Sequence, residues 1–571
     1  MAGLAGSPSA AAAQNVTATG QPLADSFAKP STPTAAAPAV RPSTGSAADP
    51  ESARLQAETL AKRGQISEAL AVARRLLRAD PGSAQWRILE AQYLGWLGRT
   101  ATAAERYRRL TQEAPAATGA YEGLGNTQLW LGDWREAQSA YAVAIGSSAA
   151  DNLAAHLGFY RALIAAGRAT PAYRQAVELD RRTGQQDAEL GLFLAAIHGA
   201  VDDDAAAFAL ASRRTSDGDV RLRQTQFQAQ RLLARGRKDE GLNLIARFAD
   251  ARPRDYNAQV AAGEVFATAA EYSEARDFFE RALQLVPDRD EAPLGLARMA
   301  RQQGKHRDAI AGFEEVVARN PESLPGWLGI AEVAQLRGDM DRAWRALDSA
   351  QRVAPASALI ARERLKIAFR EQDADTFFAV LRDYQRAQPA DAWPELWAQK
   401  WADARGRDVN PHALQALLDP LAPDVTSEAL RLLRRHTGEP LQRAALRVPP
   451  APTADLQDAA QARLAKQVRV ADPTVIGVST GYEFATLRDT SGAGARMQEW
   501  HEGYLAAYWR RQLGMTVAAE YRTMSRFGAS ANQVLLGWNT HVTPSWIVGL
   551  EGGGALNGGF IPRWRVGARA E

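Results

Sequence analysis

The spacing of apolar and small residues changes once along the chain, which indicates two regions of different structure. In the first region, landmarks such as Ala275, Ala309 and Ala343 recur every 34 residues. The prolines with the same interval are Pro253, Pro287, Pro321, Pro355 and Pro389. Because proline cannot continue a helix, each one is expected to close a helix pair. The pattern predicts a solenoid over residues 50–425, with about ten to eleven units that bury surface against their neighbours.

Beyond Pro473 the period falls to two, as expected of β-strands. Apolar side chains from Ile476 to Phe484 alternate with small or polar ones, and five later segments repeat this pattern less regularly. The last segment opposes apolar side chains to Arg563, Arg565 and Arg569. An apolar face outward and a charged face inward is typical of an outer-membrane β-barrel, whose lumen these arginines and Glu483 are predicted to line. A soluble β-sandwich packed on the solenoid is the alternative.

The number of predicted strands bears on whether such a barrel closes. Six strands are predicted over residues 474–571, whereas a membrane barrel of this class needs about eight or more. The strands therefore read as the first part of a barrel. Truncation of the gene is the simpler interpretation, and completion by oligomerisation is the other.

Two segments flank the predicted solenoid. Residues 1–49 are rich in Ala, Ser and Pro with few charges, which predicts a disordered lead-in. The run from Ala11 to Ala13 resembles the small-residue end of a secretory signal, but no basic or apolar segment precedes it. Either the start codon is misplaced upstream of the true mature end, or there is no export signal. Residues 426–473 combine helical stretches with prolines and predict a cap and linker. The expected fold class is multidomain α + β.

The residue types inside each unit also follow a pattern. One unit has Gly263 in its first helix, Phe279 and Ala282 in its second, and Pro287 at its end. This arrangement resembles the tetratricopeptide repeat (TPR), and the resemblance implies a binding scaffold whose first helices, the A helices, line a groove. The residues predicted on that groove face are Trp96, Asn126, Trp130, Glu264, Arg298, Arg301, Glu332 and Gln335.

Two tryptophans on this face invite two interpretations. Trp96 and Trp130 occupy equivalent positions one repeat apart, where their indoles would stack on sugar rings and neighbouring polar groups would bond hydroxyls. Alternatively, both side chains fill space between helices. Some TPR domains clamp a partner's terminal carboxylate with basic and Asn side chains, but Asn126 is accompanied here by the acidic Glu122.

The strand region has a resemblance of its own. The segments Gly481-Tyr482-Glu483-Phe484 and Arg563-Trp564-Arg565-Val566 are similar to the YaiO-type outer-membrane barrel family. A TPR array before such a barrel resembles exopolysaccharide export proteins of cellulose and poly-N-acetylglucosamine systems. The resemblance implies a periplasmic solenoid, an outer-membrane location, and a polysaccharide chain or periplasmic proteins as partners.

Composition and candidate chemistry narrow the classes of function. Lys and Arg total 68 against 65 acidic residues, so the chain lacks the large excess of positive charge that is typical of nucleic-acid-binding proteins. The chain has no cysteine, its seven histidines lack metal-ligand spacing, and no cofactor or catalytic motif stands out. We predict a non-enzymatic component that assists exopolysaccharide export and docks the synthesis machinery. An envelope TPR adaptor that binds only proteins, and a surface receptor of the phage-adsorption kind, are the alternatives.

Overall fold

The computed structural model describes residues 50–62, 64–147, 152–437, 447–471, 475–488, 497–511, 515–526, 529–543, 546–557 and 564–570. The predicted lead-in at 1–49 lies outside these residues, as does Arg563. Two compact units divide the chain, the first comprising residues up to 398 with 419–425 and 450–460, the second the remainder.

Helices fill the described residues as far as Ala471, and the first twenty form ten antiparallel pairs. In chain order they are α1 Pro50–Lys62, α2 Ile66–Ala79, α3 Ala84–Trp96, α4 Thr100–Glu113, α5 Thr118–Leu131, α6 Trp134–Gly146, α7 Leu153–Ala165, α8 Ala169–Arg182, α9 Ala188–Ala200, α10 Asp204–Ala211, α11 Gly218–Ala234, α12 Lys238–Asp250, α13 Tyr256–Thr268, α14 Tyr272–Leu285, α15 Glu291–Gln302, α16 His306–Arg319, α17 Leu324–Leu336, α18 Met340–Val353, α19 Ala358–Glu371, α20 Ala374–Ala387, α21 Trp393–Ala404, α22 Pro411–Ala416, α23 Pro423–Thr437 and α24 Ala454–Ala471. Odd-numbered helices of the pairs are the A helices and even-numbered ones the B helices. Helices α23 and α24 overlap the segment predicted as cap and linker.

The turn inside a helix pair has a local cause. Gly98, Gly132, Gly304 and Gly338 adopt φ angles of 77°, 80°, 72° and 76° at the turn between the A and B helices. A side chain disfavours this left-handed conformation, whereas glycine adopts it without steric penalty. The glycine thus ends the A helix in these pairs and lets the B helix fold back, whereas Asp202, Ala270 and Gln372 adopt a positive φ at the same turn after α9, α13 and α19.

Packing within the solenoid depends on an aromatic side chain held between glycines. Phe279 of α14 is 1% exposed and lies against Gly263 of α13 and Gly295 of α15. A Cβ atom added to Gly263 or Gly295 would stand 2.7 Å or 2.4 Å from the ring. Helices α13 and α14 therefore approach each other closely at Gly263, and the same ring joins one unit to the next.

The solenoid is curved, and its second superhelical turn contacts its first. From α3 to α19 each A helix contacts the next A helix, so the A helices form the inner, shorter wall. Ser67 Oγ lies 3.1 Å from an oxygen of Asp288, and the Ala358 amide donates to the Gly132 carbonyl at 3.0 Å. The separation of 221 residues between Ser67 and Asp288 is about six and a half repeats of 34. We call this set of contacts the seam. It joins the loops that precede α2, α4, α6 and α8 to the loops near residues 288, 322, 357, 390 and 419.

The described strands form one antiparallel meander in the order β1-β2-β3-β4-β5-β6. They are β1 Val475–Arg488, β2 Met497–Arg511, β3 Met515–Arg526, β4 Ala529–Thr543, β5 Trp546–Asn557 and β6 Trp564–Ala570. Each strand pairs with its neighbour in sequence, with register shifts in β4 at Asn532/Gln533 and His541/Thr543. The prediction of a helical solenoid followed by an antiparallel sheet is confirmed, and β1 and β6 lie at the two edges of that sheet.

Candidate functional site on the inner helical face

Five of the predicted groove residues lie in a ladder of polar contacts along consecutive A helices. Glu264 of α13 accepts a hydrogen bond of 2.9 Å from Gln226 and lies 4.0 Å from Arg298 of α15. Arg301 of α15 donates to Glu332 of α17 at 2.6 Å. Gln335 of α17 extends the ladder, because its amide donates to Glu363 of α19 at 3.4 Å. The structure thus brings Glu264, Arg298, Arg301, Glu332 and Gln335 together.

The ladder is in contact with solvent, and its charges neutralise one another. The side chains of Arg298 and Glu332 are 45% and 49% exposed. Burial raises the pKa of Glu264, and the neighbouring Arg298 and Gln226 oppose this rise. Because acidic and basic groups alternate, the surface offers many hydrogen-bond donors and acceptors without a large excess charge. Such a surface fits an uncharged polar ligand better than a polyanion.

A second polar cluster lies on the same face, along the A helices α7, α9 and α11. Glu189 of α9 bridges Arg161 of α7 and Arg223 of α11 at 3.5 Å and 2.9 Å. Burial alone would raise the pKa of Glu189, but Arg223 and Arg161 hold it below its usual range. Sequence reasoning missed this cluster, although the 34-residue spacing of Glu189 and Arg223 was a usable signal.

The other three predicted groove residues are engaged in contacts between helices. Asn126 accepts a 2.8 Å hydrogen bond from the hydroxyl of Tyr141, which belongs to the B helix of the same unit. Trp96 packs on Tyr93, with ring centroids 5.4 Å apart, and against the buried cluster of the first units. Trp130 lies beside Gly95, where an added Cβ would stand 3.6 Å from the indole. Neither indole is fully buried, and the role of the pair stays a prediction.

The residues predicted to line a lumen are placed here by backbone register alone. Glu483 pairs with Glu502, Arg565 with Gly553 and Arg569 with Gly549. Glu502 and Gly553 belong to the same face of the sheet, because each register step preserves the alternation of side chains. Glu483, Arg565 and Arg569 therefore share one face, while Arg563 lies outside the described residues.

Among the described side chains of this sheet, exposure differs between the two faces. Of the side chains that the structure describes, the large apolar ones that are exposed share the face opposite Glu502; they are Val478, Tyr482, Leu505, Val517, Tyr521, Leu536, Trp538, Leu550, Leu556 and Val566. On the other face Gln533 is only 5% exposed, and Arg522 bridges Glu502 and Glu520 at 3.0 Å and 2.7 Å. The polar face is thus the sheltered one.

Two features are absent from the described residues, a metal site and a membrane-spanning helix. Within them, no cluster of three or more His, Cys, Asp or Glu side chains is arranged to hold a metal ion. None of the described helices combines the length and apolar character needed to span a bilayer.

Comparison with known proteins identifies the repeats. Residues 228–290 and 294–348 match the tetratricopeptide repeat family. Human Superkiller complex protein 3 is 24% identical over 282 residues, which cover 47% of this chain and 18% of that protein. Cellulose synthase operon protein C of Pseudomonas fluorescens (strain SBW25) is 30% identical over 150 residues, 25% of this chain and 12% of that protein.

Further matches extend this picture. Cellulose synthase 2 operon protein C of Komagataeibacter xylinus is 33% identical over 138 residues, 24% of this chain and 10% of that protein. The crystal structure of yeast Tom70 matches with a TM-score of 0.35 and 13% identity, covering 74% of this chain and 97% of that one. This chain spans less than a fifth of each of the three curated relatives. The chain contains tetratricopeptide repeats and is distantly similar to cellulose synthase operon protein C.

Proposed function

We propose that this protein is a periplasmic TPR scaffold joined to strands of an outer-membrane barrel, and that it assists export of an exopolysaccharide and docks its synthesis machinery. The observation that carries the proposal is the reversed exposure of the sheet, with apolar side chains outward and charged side chains sheltered. The similarity to cellulose synthase operon protein C supports the assignment to a polysaccharide system.

The energetics of the sheet favour lipid over water on its apolar face. Val566 is 84% exposed, Val478 67% and Leu536 59%. In water, this contiguous apolar surface would remain hydrated at a free-energy cost, whereas hydrocarbon removes that cost. The meander also suits a barrel, in which every backbone group finds a partner once the edge strands are paired. Pairing of β1 and β6 needs further strands, from this protein or from a second copy.

The inner face of the solenoid is compatible with a neutral polysaccharide. Its exposed polar groups, among them Glu332 and Arg298, alternate in charge and supply donors and acceptors for hydroxyl groups. A polymer with few charges would exchange hydrogen bonds with these groups without displacing strong ion pairs. In this proposal the solenoid guides the chain or positions the enzymes that make it.

A protein-only adaptor is the second candidate, and the packing of the tryptophans favours it. Trp96 contacts Tyr93 and the buried cluster of the first units, so a sugar ring would have to compete with these contacts for its face. TPR scaffolds bind protein partners, and the polar ladder fits an extended protein segment as well.

The two candidates separate in a heat-shift gel on outer-membrane fractions of cells that express the complete native locus. A folded membrane barrel resists detergent and migrates differently before and after boiling, so we expect a band in that fraction that shifts on boiling. An unshifted product in the soluble fraction would overturn the barrel and leave the adaptor. Calorimetry with an uncharged β-glucan oligosaccharide then tests the polysaccharide assignment, with Trp96→Ala and Trp130→Ala as variants expected to weaken binding.

A further inference from the structure

Three B helices of the first superhelical turn begin without a capping side chain of their own. Their N-cap residues are Gln65 for α2, Arg99 for α4 and Arg168 for α8, and none of these side chains accepts a bond from the helix. The first amides of a helix have no partner within the helix and need an acceptor from elsewhere. All three helix starts lie at the seam.

At α4 and α8 the second superhelical turn supplies the missing acceptor, which is a carboxylate in both cases. Glu322 accepts a 2.9 Å hydrogen bond from the Thr102 amide in α4 and a second from the hydroxyl of the same residue. Asp419 accepts from the Thr170 amide in α8 at 2.9 Å and from its hydroxyl at 2.6 Å. At α2 the hydroxyl of Ser67 donates to Asp288 at 3.1 Å. A carboxylate at a helix N-terminus is favoured both as acceptor and by the helix dipole.

The helix that differs from these three explains the choice of side chain. Helix α6 has its own cap, Asp133, which accepts from the Glu136 amide at 3.1 Å. Here the second turn presents a neutral amide: Gln388 donates to Asp133 at 2.9 Å and accepts from the Arg135 amide at 3.0 Å. A second carboxylate would repel Asp133, whereas an amide bonds to both groups.

The acidic residues also occur where the turns meet. Asp288 and Glu322 each follow a repeat-closing proline in the second turn and contact the first turn. The equivalent positions after Pro81 and Pro115 in the first turn hold Gly82 and Ala116. At the later seam loops the position after the proline holds Ala356 and Ala390, so the acid occurs where it accepts a bond from the first superhelical turn and is not part of the repeat pattern.

One arginine joins the two superhelical turns near the start of α6. Arg362 of α19 donates to the carbonyl of Ala165 in the first turn at 3.1 Å and to Asp391 of its own turn at 3.0 Å. Its guanidinium lies 4.5 Å from the ring of Trp134 in the first turn and 4.7 Å from Trp393 in the second. Both contacts are within the range of cation–π attraction.

We propose that the seam is a latch, in which Glu322, Gln388 and Asp419 cap helices of the other superhelical turn, Asp288 bonds to the Ser67 hydroxyl, and the solenoid is closed on itself. Each repeat packs chiefly on its neighbours in the chain, so the latch opens without unfolding the repeats. When the latch opens, the two superhelical turns separate, and the inner wall formed by the A helices becomes accessible from the side of the solenoid. The inference is independent of what that wall binds.

The test compares two double variants of the full chain by hydrogen–deuterium exchange. Glu322→Ala with Asp419→Ala removes two caps, and Glu280→Ala with Glu315→Ala removes the same charge from exposed positions on α14 and α16. The informative amides are Arg135 and Ala358, which keep their own seam partners, Gln388 and the Gly132 carbonyl, in both variants. Loss of two caps is expected to speed exchange at these amides about fivefold or more.

The outcomes separate a latch from a set of local caps. Faster exchange at Thr102 and Thr170 alone, with Arg135 and Ala358 unchanged, would overturn the latch. If the first double variant fails to fold, a second measurement decides. The chain has no cysteine, so Ser67→Cys with Asp288→Cys provides the two thiols for a short bis-maleimide. The cross-link is expected to slow exchange at Arg135 and Ala358, and unchanged exchange would equally reject the proposal.

Discussion

The solenoid and the sheet treat their apolar side chains in opposite ways. In the solenoid, Phe279 and Tyr141 are 1% and 0% exposed, and the charged groups face outward or pair along the inner wall. In the sheet, Val566 is 84% exposed while Gln533 is 5% exposed. The hydrophobic effect drives both arrangements if the two regions face different surroundings, water for the solenoid and lipid for the sheet. Exposure therefore separates the two regions as clearly as secondary structure does.

The largest loss of stability is expected when a large side chain in the core of the solenoid is truncated. Phe279→Ala should lower the free energy of unfolding by about 4 kcal/mol, because it leaves a cavity between Gly263 and Gly295 that backbone packing cannot fill. Urea denaturation followed by circular dichroism measures it. Val143→Ala is the matched control, because Val143 is 42% exposed and its truncation should change little. Equal losses in the two variants would mean that the helix pairs are not packed as described.

Breaking the seam at its arginine should be nearly as costly. Arg362→Ala leaves Asp391, whose side chain is 1% exposed, without its charged partner. We expect a loss of about 3 kcal/mol, at the low end for a buried pair because Tyr384 still donates to Asp391 at 2.6 Å. Thermal unfolding checks this. Arg386→Ala, whose partner Asp383 is exposed, should cost less than about 1 kcal/mol.

A leucine-to-arginine substitution made in each region tests whether the sheet and the solenoid face different surroundings. Leu536 in the sheet and Leu336 in the solenoid are 59% and 53% exposed. Leu536→Arg should destabilise the protein folded in lipid vesicles by about 2 kcal/mol, the scale for a cation at a lipid-facing strand position. Leu336→Arg should be nearly neutral, because water solvates the new charge. Tolerance of arginine at Leu536 would argue for an aqueous environment on both regions.

The smallest effect concerns a carboxyl that the solenoid partly buries. Burial and then the nearby carboxylates of Asp217 and Asp255 raise the pKa of Asp219 from 3.8 to about 7. Between these values the folded chain keeps a proton that the unfolded chain has released, so stability falls as pH rises from about 4 to about 7. Asp219→Asn should remove this fall and add about 1 kcal/mol at pH 8, since solvent screens a partly exposed group. Melting temperatures at pH 4.5 and 8 for both proteins measure the difference.

Local patterns predicted the elements better than the sites. The spacing of the prolines and of small residues such as Ala309 predicted helix pairs, because stacking imposes the same packing on every unit. The alternation from Ile476 to Phe484 predicted a strand that the structure extends to Val475–Arg488. Five predicted groove residues lie in one ladder, since equivalent positions of successive A helices must be neighbours.

Local sequence patterns could not predict the seam. Its partners are separated by 197 to 255 residues, and the curvature that brings them together is a sum of small rotations between units. Glu322 and Asp419 look like ordinary loop acids in the sequence, and Arg362 looks like a surface arginine. Asn126 was expected in the groove without its bond to Tyr141, because a side chain's partner on another helix depends on the packing of that pair.

By itself, the sequence determined the period of each region, the residues that each helix pair buries, and the two faces of the sheet. Helical and strand periods follow from backbone geometry and local side-chain pattern, so they are readable without coordinates. Only the tertiary structure decided that the second turn of the solenoid caps the first, that Trp96 and Trp130 lie among helix contacts, and which face of the sheet is sheltered. These features depend on where distant segments meet, and that position is fixed by the accumulated curvature of many units and strands.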